Sequence, residues 1–221
     1  MRYQRASCLL FGLVILTAAG VSAQVGAQQQ PEGFVSLMPK EGLQGWVVMG
    51  GAEAAQAWKV EEGVLTCDAR GGGWLRTEKQ YKDFILRLDY SVSEGTNSGV
   101  FLRATEQGNP AFTGMELQIL DDHGREPDVH SAMSLYGSVA PAKNMSVPAG
   151  EWNHIEVTCQ GAHLTLVWNG EKVLDVDLSD PKVPYQEKPL AERAKSGYLG
   201  LQNYGIQKPV RFRNIVIKEL Q

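Results

Sequence analysis

From residue 33 onward, hydrophobic and polar residues alternate with a period of two over most of the chain. In FILRLDYSVS, residues 84–93, one face carries Leu, Leu, Tyr and Val, while the other carries Ile, Arg, Asp and Ser. Runs with this period are typical of β-strands that bury one face. Similar runs recur along the chain, namely AWKV, GVLTC, SGVFLRA, MELQIL, WNHIEVTCQ, HLTLVWN, KVLDVDL, YLGLQNY and VRFRNIVIKEL.

Turn-forming residues separate these runs, as in SEGTN, EQGNP, WNGEK and LSDPK. Asn169-Gly170 is the strongest turn signal, because both residues tolerate the positive φ angles of a tight hairpin. Only PLAERAKSG, residues 189–197, has a briefly helical pattern. About ten short strands joined by such turns predict an all-β sandwich or barrel.

The N-terminal segment has the pattern of a secretory signal peptide. Arg2 and Arg5 precede an apolar run over residues 8–19, and Val21-Ser22-Ala23 supplies the small residues of a cleavage site. We therefore expect a signal peptide over residues 1–23, and a periplasmic or secreted protein. A retained anchor is the alternative, but the apolar run is about a dozen residues long and roughly 20 are needed to span a bilayer.

The composition of the remaining chain indicates a spacer followed by one domain, and its charge argues against nucleic-acid binding. We expect a flexible spacer over residues 24–32, which are polar and low in complexity, and a single domain over residues 33–221. The formal net charge of −4 argues against nucleic-acid binding, which needs a basic face. Cys67 and Cys159 lie in strand-like runs, and either one disulfide or two buried thiols would suit them.

Strand alternation places several polar side chains on outward faces. If their strands are neighbours, the cationic, acidic and amide groups form a surface that could hydrogen-bond the hydroxyls of a sugar. An ordinary solvated face of an antiparallel sheet, which is also polar, is the alternative. The side chains concerned are Asn97, Arg103, Glu116, Gln118 and Gln202.

The loop that follows MELQIL is dense in ionisable groups. Residues 121–130 include Asp121, Asp122, His123 and His130, which could bind a metal or act as acid and base. Their spacing matches no standard zinc motif and no calcium loop. A solvated charged loop is the alternative interpretation.

Taken together, six strings resemble one protein family. NSGVFLR, MELQILDDHG, SLYGSVAP, GEWNHIEVTCQGAHLTLVWNGEKV, GYLGLQNYG and VRFRNIVIKEL occur in this order. The ordered set resembles the 3-keto-disaccharide hydrolase or 3-keto-glucoside lyase/hydratase family, formerly the domain of unknown function 1080. The resemblance covers about residues 32–220. It implies a concanavalin A-like jelly-roll sandwich of two antiparallel sheets, as found in lectins and glucanases.

The resemblance also implies a chemistry. The substrate would be a 3-keto-glucoside or 3-keto-disaccharide that a sugar 3-dehydrogenase has produced. A base removes the C2 proton, the C1 substituent leaves by β-elimination, and water then adds. A divalent metal is a further candidate cofactor. The alternatives are a non-catalytic carbohydrate-binding module and a glycoside hydrolase, although Gln118 stands where a hydrolase would need its second carboxylate.

The family's polar face can be transferred to individual positions of this chain. Members often have QDHG where this chain has QNYG, residues 202–205, so that Asn203 and Tyr204 replace an acid and a histidine. The resemblance implies catalytic roles for Glu116, His123, Arg103 and Asp121. It implies substrate-binding roles for Asn97, Gln118, Tyr136, Gln202 and Trp74.

Overall fold

The computed structural model describes residues 32–221, and the expected signal peptide and all but the last residue of the spacer lie outside this range. Within it, two short α-helices and one 3-10 helix accompany the strands: α1 Ala52–Gln56, α2 Pro110–Thr113 and the 3-10 helix Leu190–Glu192. The strands are β1 Val35–Ser36, β2 Trp46–Met49, β3 Trp58–Glu61, β4 Val64–Cys67, β5 Gly73–Tyr81, β6 Phe84–Val92, β7 Asn97–Ala104, β8 Met115–Leu120, β9 Asn153–Gln160, β10 His163–Trp168, β11 Glu171–Asp177, β12 Gly197–Asn203 and β13 Val210–Glu219.

These strands form two antiparallel sheets. The larger sheet has the order β11-β10-β9-β6-β13-β4-β3, with β1 paired to β13 as its eighth strand. The smaller sheet has the order β2-β5-β12-β7-β8. Strands distant in sequence are therefore neighbours, and β7, β8 and β12 bring the outward residues of three separate runs together. The predicted all-β sandwich of two antiparallel sheets is confirmed.

The main core lies between the two sheets. Leu86 and Val157 of the larger sheet and Leu117 and Leu201 of the smaller sheet belong to one buried cluster. Their strand neighbours point away from it, as the period of two requires. The outer face of the smaller sheet is therefore free to carry a site without interrupting the core.

The predicted hairpin and the cysteines can both be assigned. Asn169 and Gly170 have φ values of 50° and 88° and join β10 to β11, as the sequence predicted. Cys67 and Cys159 are buried free thiols, and burial raises the pKa of each to about 12. Of the two alternatives for the cysteines, the structure has the unpaired one.

The helical prediction for residues 189–197 holds only for the three residues of the 3-10 helix. No helix within residues 32–221 combines the length and the apolar character that crossing a membrane would require.

Candidate functional site

A polar floor lies on the outer face of the smaller sheet, across β7, β8 and β12. Glu116 pairs with Phe101, and Gln118 pairs with Gly99, so both side chains leave β8 on the side away from the core. Leu201 of β12 pairs with Val100, which brings the next residue, Gln202, alongside Gly99. The three strands are therefore the neighbours that the sugar-binding interpretation required.

A glycine makes room for the acid in this floor. A Cβ atom built on Gly99 would lie 2.0 Å from Oε1 of Glu116, so the carboxyl group occupies the space above this residue. Gly200 has the same effect one strand away, because a Cβ atom there would lie 2.3 Å from the ring of Trp74. Gly99 was not among the predicted site residues; its signal in the sequence is a glycine at an outward position inside a strand.

The floor concentrates buried polar atoms that have no hydrogen-bond partner within residues 32–221. Such atoms lose their contact with water without gaining a protein partner, at a cost of about 1–3 kcal/mol each. Native proteins contain few of them, so a cluster on one surface indicates a place where a ligand or water supplies the partners. The atoms are Oδ1 of Asn97 and Oε1 of Glu116, Gln118 and Gln202.

A strip of chain extends the sheet beyond β8 and closes one side of the site. The backbone N–H of Tyr136 donates to the backbone carbonyl of Glu116 at 2.9 Å, and the backbone N–H of Gln118 donates to the backbone carbonyl of Ser134 at 3.1 Å. The Ser134 hydroxyl is another buried group without a partner in the described chain. This strip places Tyr136 directly beside the carboxylate strand.

Burial controls the charge of the acid. Glu116 is 3% exposed, and desolvation raises its pKa to about 8. The carboxyl group is therefore mostly protonated at neutral pH and can donate a proton, while its ionised fraction is a stronger base than an ordinary carboxylate. Burial also raises the pKa of Tyr136, and the charges of Glu116 and Tyr204 raise it further. The Glu116 carboxyl and the Tyr204 phenol therefore lie close enough to the Tyr136 hydroxyl for their negative charges to disfavour its ionisation.

Aromatic side chains pack beside the floor on the outer face of the smaller sheet, where Trp74 pairs with Gln202 and Phe101 with Glu116. Trp74 is 7% exposed and meets Phe101 edge to face, with ring centroids 5.5 Å apart. Tyr136 is half-buried and lies 6.2 Å from the Phe112 ring and 5.2 Å from the His130 ring. Tyr136 therefore offers a surface against which a sugar can stack. The Trp74 ring lies on the same outer face, beside Gln202 and over Gly200, but is mostly covered by its neighbours.

The prediction that Arg103 lies beside Glu116 is wrong, because its guanidinium binds groups outside the floor. The β7–β12 ladder shifts register between Tyr198 and Gly200, and Arg103 has a φ of 52°. The inward–outward alternation of side chains along β7 is therefore interrupted at Arg103, which the sequence prediction had counted as an outward residue. The buried guanidinium donates from Nε to the carbonyl of Lys82 at 2.6 Å and from Nη1 to the carbonyl of Gly161 at 2.9 Å. Its Nη2 group pairs with Asp83 at 3.0 Å. Arg103 thus ties together the turns that follow β5 and β9.

Asp121 and His123 are also separate from Glu116. Asp121 accepts a hydrogen bond from the backbone N–H of Gly95 at 2.8 Å, and Nδ1 of His123 lies 2.5 Å from the carbonyl oxygen of Ser146. A strand rises about 3.3 Å per residue, which puts Asp121 roughly 16 Å from Glu116 along β8. Asn97 of the floor pairs with Leu120, so Asp121 lies at the Asn97 end of the floor and not beside Glu116.

The residues of this loop do not fit a metal site. Oδ2 of the neighbouring Asp122 accepts from the backbone N–H of Ala132 at 2.8 Å, and its Oδ1 accepts from Asn144 at 3.2 Å. Across residues 32–221, no three His, Cys, Asp or Glu side chains are grouped so that they could hold a metal ion. We therefore derive no step that uses a metal.

A cavity of about 710 Å³ lies beside α2, apart from the polar floor. Phe112 lines this cavity, and its ring centroid lies 6.2 Å from that of Tyr136. None of the residues expected to bind substrate lines it, and it does not change the assignment of the site.

Comparison with known proteins places this geometry in a family. Residues 33–218 match the 3-keto-alpha-glucoside-1,2-lyase-like domain. The chain belongs to this family. A 3-keto-disaccharide hydrolase of Bacteroides thetaiotaomicron is 26% identical to it, over 90% of this chain and 83% of that protein.

The chain is also similar to solved structures. A candidate glycosyl hydrolase from Parabacteroides distasonis is 29% identical, with a TM-score of 0.68 over 79% of this chain and 99% of that one. A second from the same organism is 25% identical, with a TM-score of 0.73 over 86% of this chain and 95% of that one. A Bacillus subtilis carbohydrate-binding module, CBM66, is 13% identical with a TM-score of 0.54, over 79% of this chain and 96% of that one, and shares the fold alone.

The two positions that depart from the 3-keto-glucoside lyase-like pattern differ in their surroundings. Asn203 is buried, and its amide donates to the carbonyl of Arg70 at 2.6 Å. Tyr204 is 51% exposed. Asn203 therefore has a structural role at the end of β12, while Tyr204 adds a free aromatic ring near the site.

Proposed function

We propose that this protein is an exported enzyme that cleaves 3-keto-glucosides by C2 proton abstraction, β-elimination and hydration, with net hydrolysis. The family assignment and the 3-keto-disaccharide hydrolase of B. thetaiotaomicron support the substrate class. The N-terminal signal-like pattern supports action in the periplasm or outside the cell. A sugar 3-dehydrogenase would have to supply the substrate.

The ketone makes this cleavage possible. Removal of the C2 proton leaves an electron pair that is delocalised onto the C3 oxygen as an enolate. When the enolate collapses, a C1–C2 double bond forms, the C1–O bond breaks and the leaving oxygen takes up a proton. Water then adds its oxygen to C1 and a proton to C2, giving 3-keto-glucose. Each stage needs one group that accepts and returns a proton near C2.

Glu116 is the group that we assign to this proton transfer, and its environment carries the proposal. Its ionised form would take the C2 proton, and its protonated form would return one to the leaving oxygen or, during hydration, to C2. Because burial raises its pKa to about 8, both forms are available near neutral pH. A carboxyl group with its pKa at the ordinary value would be a weaker base.

The other groups of the floor suit binding and polarisation. The amides of Asn97, Gln118 and Gln202 can exchange hydrogen bonds with sugar hydroxyls, which would satisfy their buried oxygens. The Tyr136 phenol, close to Glu116, is suited to donate a hydrogen bond to the enolate oxygen, the role first expected of Arg103.

The test compares a 3-keto-glucoside with the same unoxidised glucoside. We expect cleavage of the keto form only, and a loss of about 10²–10⁴-fold in kcat for Glu116→Gln, the range for removal of a general acid or base. His123→Ala tests the other proton-transfer candidate and should stay within about threefold of the parent protein, because its ring contacts the Ser146 carbonyl and follows the end of β8 opposite to Glu116.

Cleavage of the unoxidised glucoside would contradict the elimination mechanism. Full activity of Glu116→Gln would remove Glu116 from the chemistry. Binding of both sugars without turnover of either would instead identify a carbohydrate-binding module, a function that the same fold also supports.

A further inference from the structure

Ser134 lies on the polar floor, although it was not among the predicted site residues and the proposed function gives it no role. The backbone N–H of Gln118 donates to the backbone carbonyl of Ser134, so the two residues face each other across β8 and the strip beside it. Leu117 and Leu135 form the adjacent pair, and both belong to the buried core between the sheets. Side chains alternate along an extended chain, so Gln118 and Ser134 both point to the outer face.

The Ser134 hydroxyl is fully buried and has no hydrogen-bond partner within residues 32–221. A hydroxyl that is withdrawn from water without gaining a partner is unfavourable, and native proteins contain few such groups. Burial in this sheet does not prevent pairing, because the hydroxyl of Ser98, which is equally buried on β7, donates to the backbone carbonyl of Gln202 at 2.8 Å. A serine held here for packing alone would gain nothing from its hydroxyl, so this group indicates a ligand that supplies the partner.

The position of Ser134 relative to Glu116 limits which part of the sugar it can bind. The Glu116 carboxyl leans over Gly99 of β7, whereas Ser134 lies on the opposite side of β8. Gly99, Gln118 and Ser134 lie side by side on β7, β8 and the strip, and a spacing of about 4.8 Å puts roughly 10 Å between the first and the last. The sugar extends in this direction because Tyr136, which we assign to the C3 oxygen, also lies on the strip. With C2 of the pyranose at the carboxyl, the ring atom on the opposite side is C5, which carries the hydroxymethyl group.

We propose that the Ser134 hydroxyl binds the 6-hydroxyl of the sugar and makes the site specific for 3-keto-hexosides in which this hydroxyl is free. This proposal rests on the proposed function. The hydroxymethyl group is a narrow arm that extends beyond the ring, and a buried serine needs such an arm to reach it. The 6-hydroxyl both accepts and donates, so it can accept from Ser134 and donate to the unpartnered Oε1 of Gln118. A sugar without the 6-hydroxyl leaves both groups unpartnered.

The experiment uses methyl 3-keto-glucoside and its 6-deoxy analogue, which lose the same leaving group and differ only in the hydroxyl that Ser134 binds. We expect kcat/KM of the parent protein to favour the 6-hydroxyl substrate about 5- to 140-fold. At about 1.4 kcal/mol per tenfold, this range corresponds to about 1–3 kcal/mol, the cost of leaving a buried polar group unpaired. Ser134→Ala should reduce the preference at least about threefold, mainly by lowering kcat/KM for the 6-hydroxyl substrate. Its Tm should not fall, because the hydroxyl has no protein partner to lose.

Ser91→Ala is the matched control, since this serine is also buried but lies on β6 of the larger sheet, where its hydroxyl accepts from Nη2 of Arg211 at 2.9 Å. It should lower the Tm by about 2–4 °C through loss of that hydrogen bond and leave the substrate preference unchanged. Equal kcat/KM for the two substrates in the parent protein, or a preference that Ser134→Ala reduces less than about threefold, would overturn the proposal and leave the proposed function intact. An equal loss of activity on both substrates with a lower Tm would show that Ser134 only supports the fold.

The same comparison is made by calorimetry with the unoxidised methyl glucoside and its 6-deoxy analogue. If the parent protein cleaves neither keto substrate, the proposed function fails, and the binding ratio alone then decides the role of Ser134. A ratio that favours the 6-hydroxyl sugar and is lost in Ser134→Ala supports this role. A ratio of one, or no binding of either sugar, refutes it.

Discussion

Replacing Glu116 by Gln should stabilise the protein at alkaline pH and leave its stability near pH 4 almost unchanged. In the folded protein, burial raises the pKa of this carboxyl from its ordinary value of 4.5 to about 8. Unfolding returns the group to water. Between these two pH values the unfolded chain therefore binds fewer protons than the folded one, and stability falls as the pH rises through the window.

The size of the effect follows from the two pKa values. At about 1.36 kcal/mol per pH unit, the difference between 4.5 and about 8 corresponds to about 5 kcal/mol above pH 8 and about 3 kcal/mol at pH 7. Gln has the shape of the protonated acid and carries no such cost. For a domain of this size, about 5 kcal/mol corresponds to roughly 10–20 °C in Tm.

Thermal unfolding of both proteins from pH 4 to pH 9.5, followed by circular dichroism, measures this difference directly. The Tm of Glu116→Gln minus that of the parent should be near zero at pH 4 and should grow through the neutral range. Glu126→Gln removes an exposed carboxyl from the loop after β8 and controls for the change in net charge. A constant Tm difference across the whole range would show that Glu116 is not a desolvated carboxyl.

Three further predictions concern other parts of the structure. Gly99→Ala should displace the site carboxyl and lower kcat/KM by at least tenfold, since its Cβ atom would lie 2.0 Å from that group, whereas Gly51→Ala, with nothing within 4 Å, should be neutral in the same assay. Arg103→Met should lower the free energy of unfolding in urea by about 1.5–3 kcal/mol, because the hydrogen bonds of the buried guanidinium to the Lys82 and Gly161 carbonyls and its ion pair with Asp83 are lost, with kcat/KM of the folded fraction unchanged. Cys67 and Cys159, whose pKa values burial raises to about 12, should react with a thiol reagent only after denaturation.

Alternation in the sequence was sufficient to predict the part of the site that lies on regular strands. Glu116 and Gln118 face outward because β8 keeps its period of two from end to end, with Leu117 between them in the core. The prediction of a shared polar face assumed that β7, β8 and β12 are neighbours. Hydrophobic patterning could not establish this, since it identifies strands but not the order in which they pair. The sheet order of the folded chain meets the condition.

Alternation failed where the backbone departs from regular geometry. Arg103 occupies a left-handed conformation that arginine seldom adopts and that nothing in NSGVFLR signals. One bulge then turns the guanidinium away from the expected floor and toward the β5–β6 and β9–β10 turns. Asp121 and His123 follow Glu116 closely in sequence, but an extended strand separates its ends by about 3.3 Å per residue, so Asp121 lies beside Asn97 and not beside Glu116.

The division between core and site has a consequence for how this fold can change its function. Leu117 contributes to the core while Glu116, one residue away, contributes only to the floor, so outward positions can vary without creating cavities between the sheets. The floor nevertheless has its own stability cost, because four buried oxygens without partners are each unfavourable by about 1–3 kcal/mol. A ligand that brings hydroxyl donors removes that cost on binding. Under the proposed function, the same unpartnered oxygens would give the floor its affinity for sugar hydroxyls, and replacing them with apolar residues should make the protein more stable and less able to bind sugar.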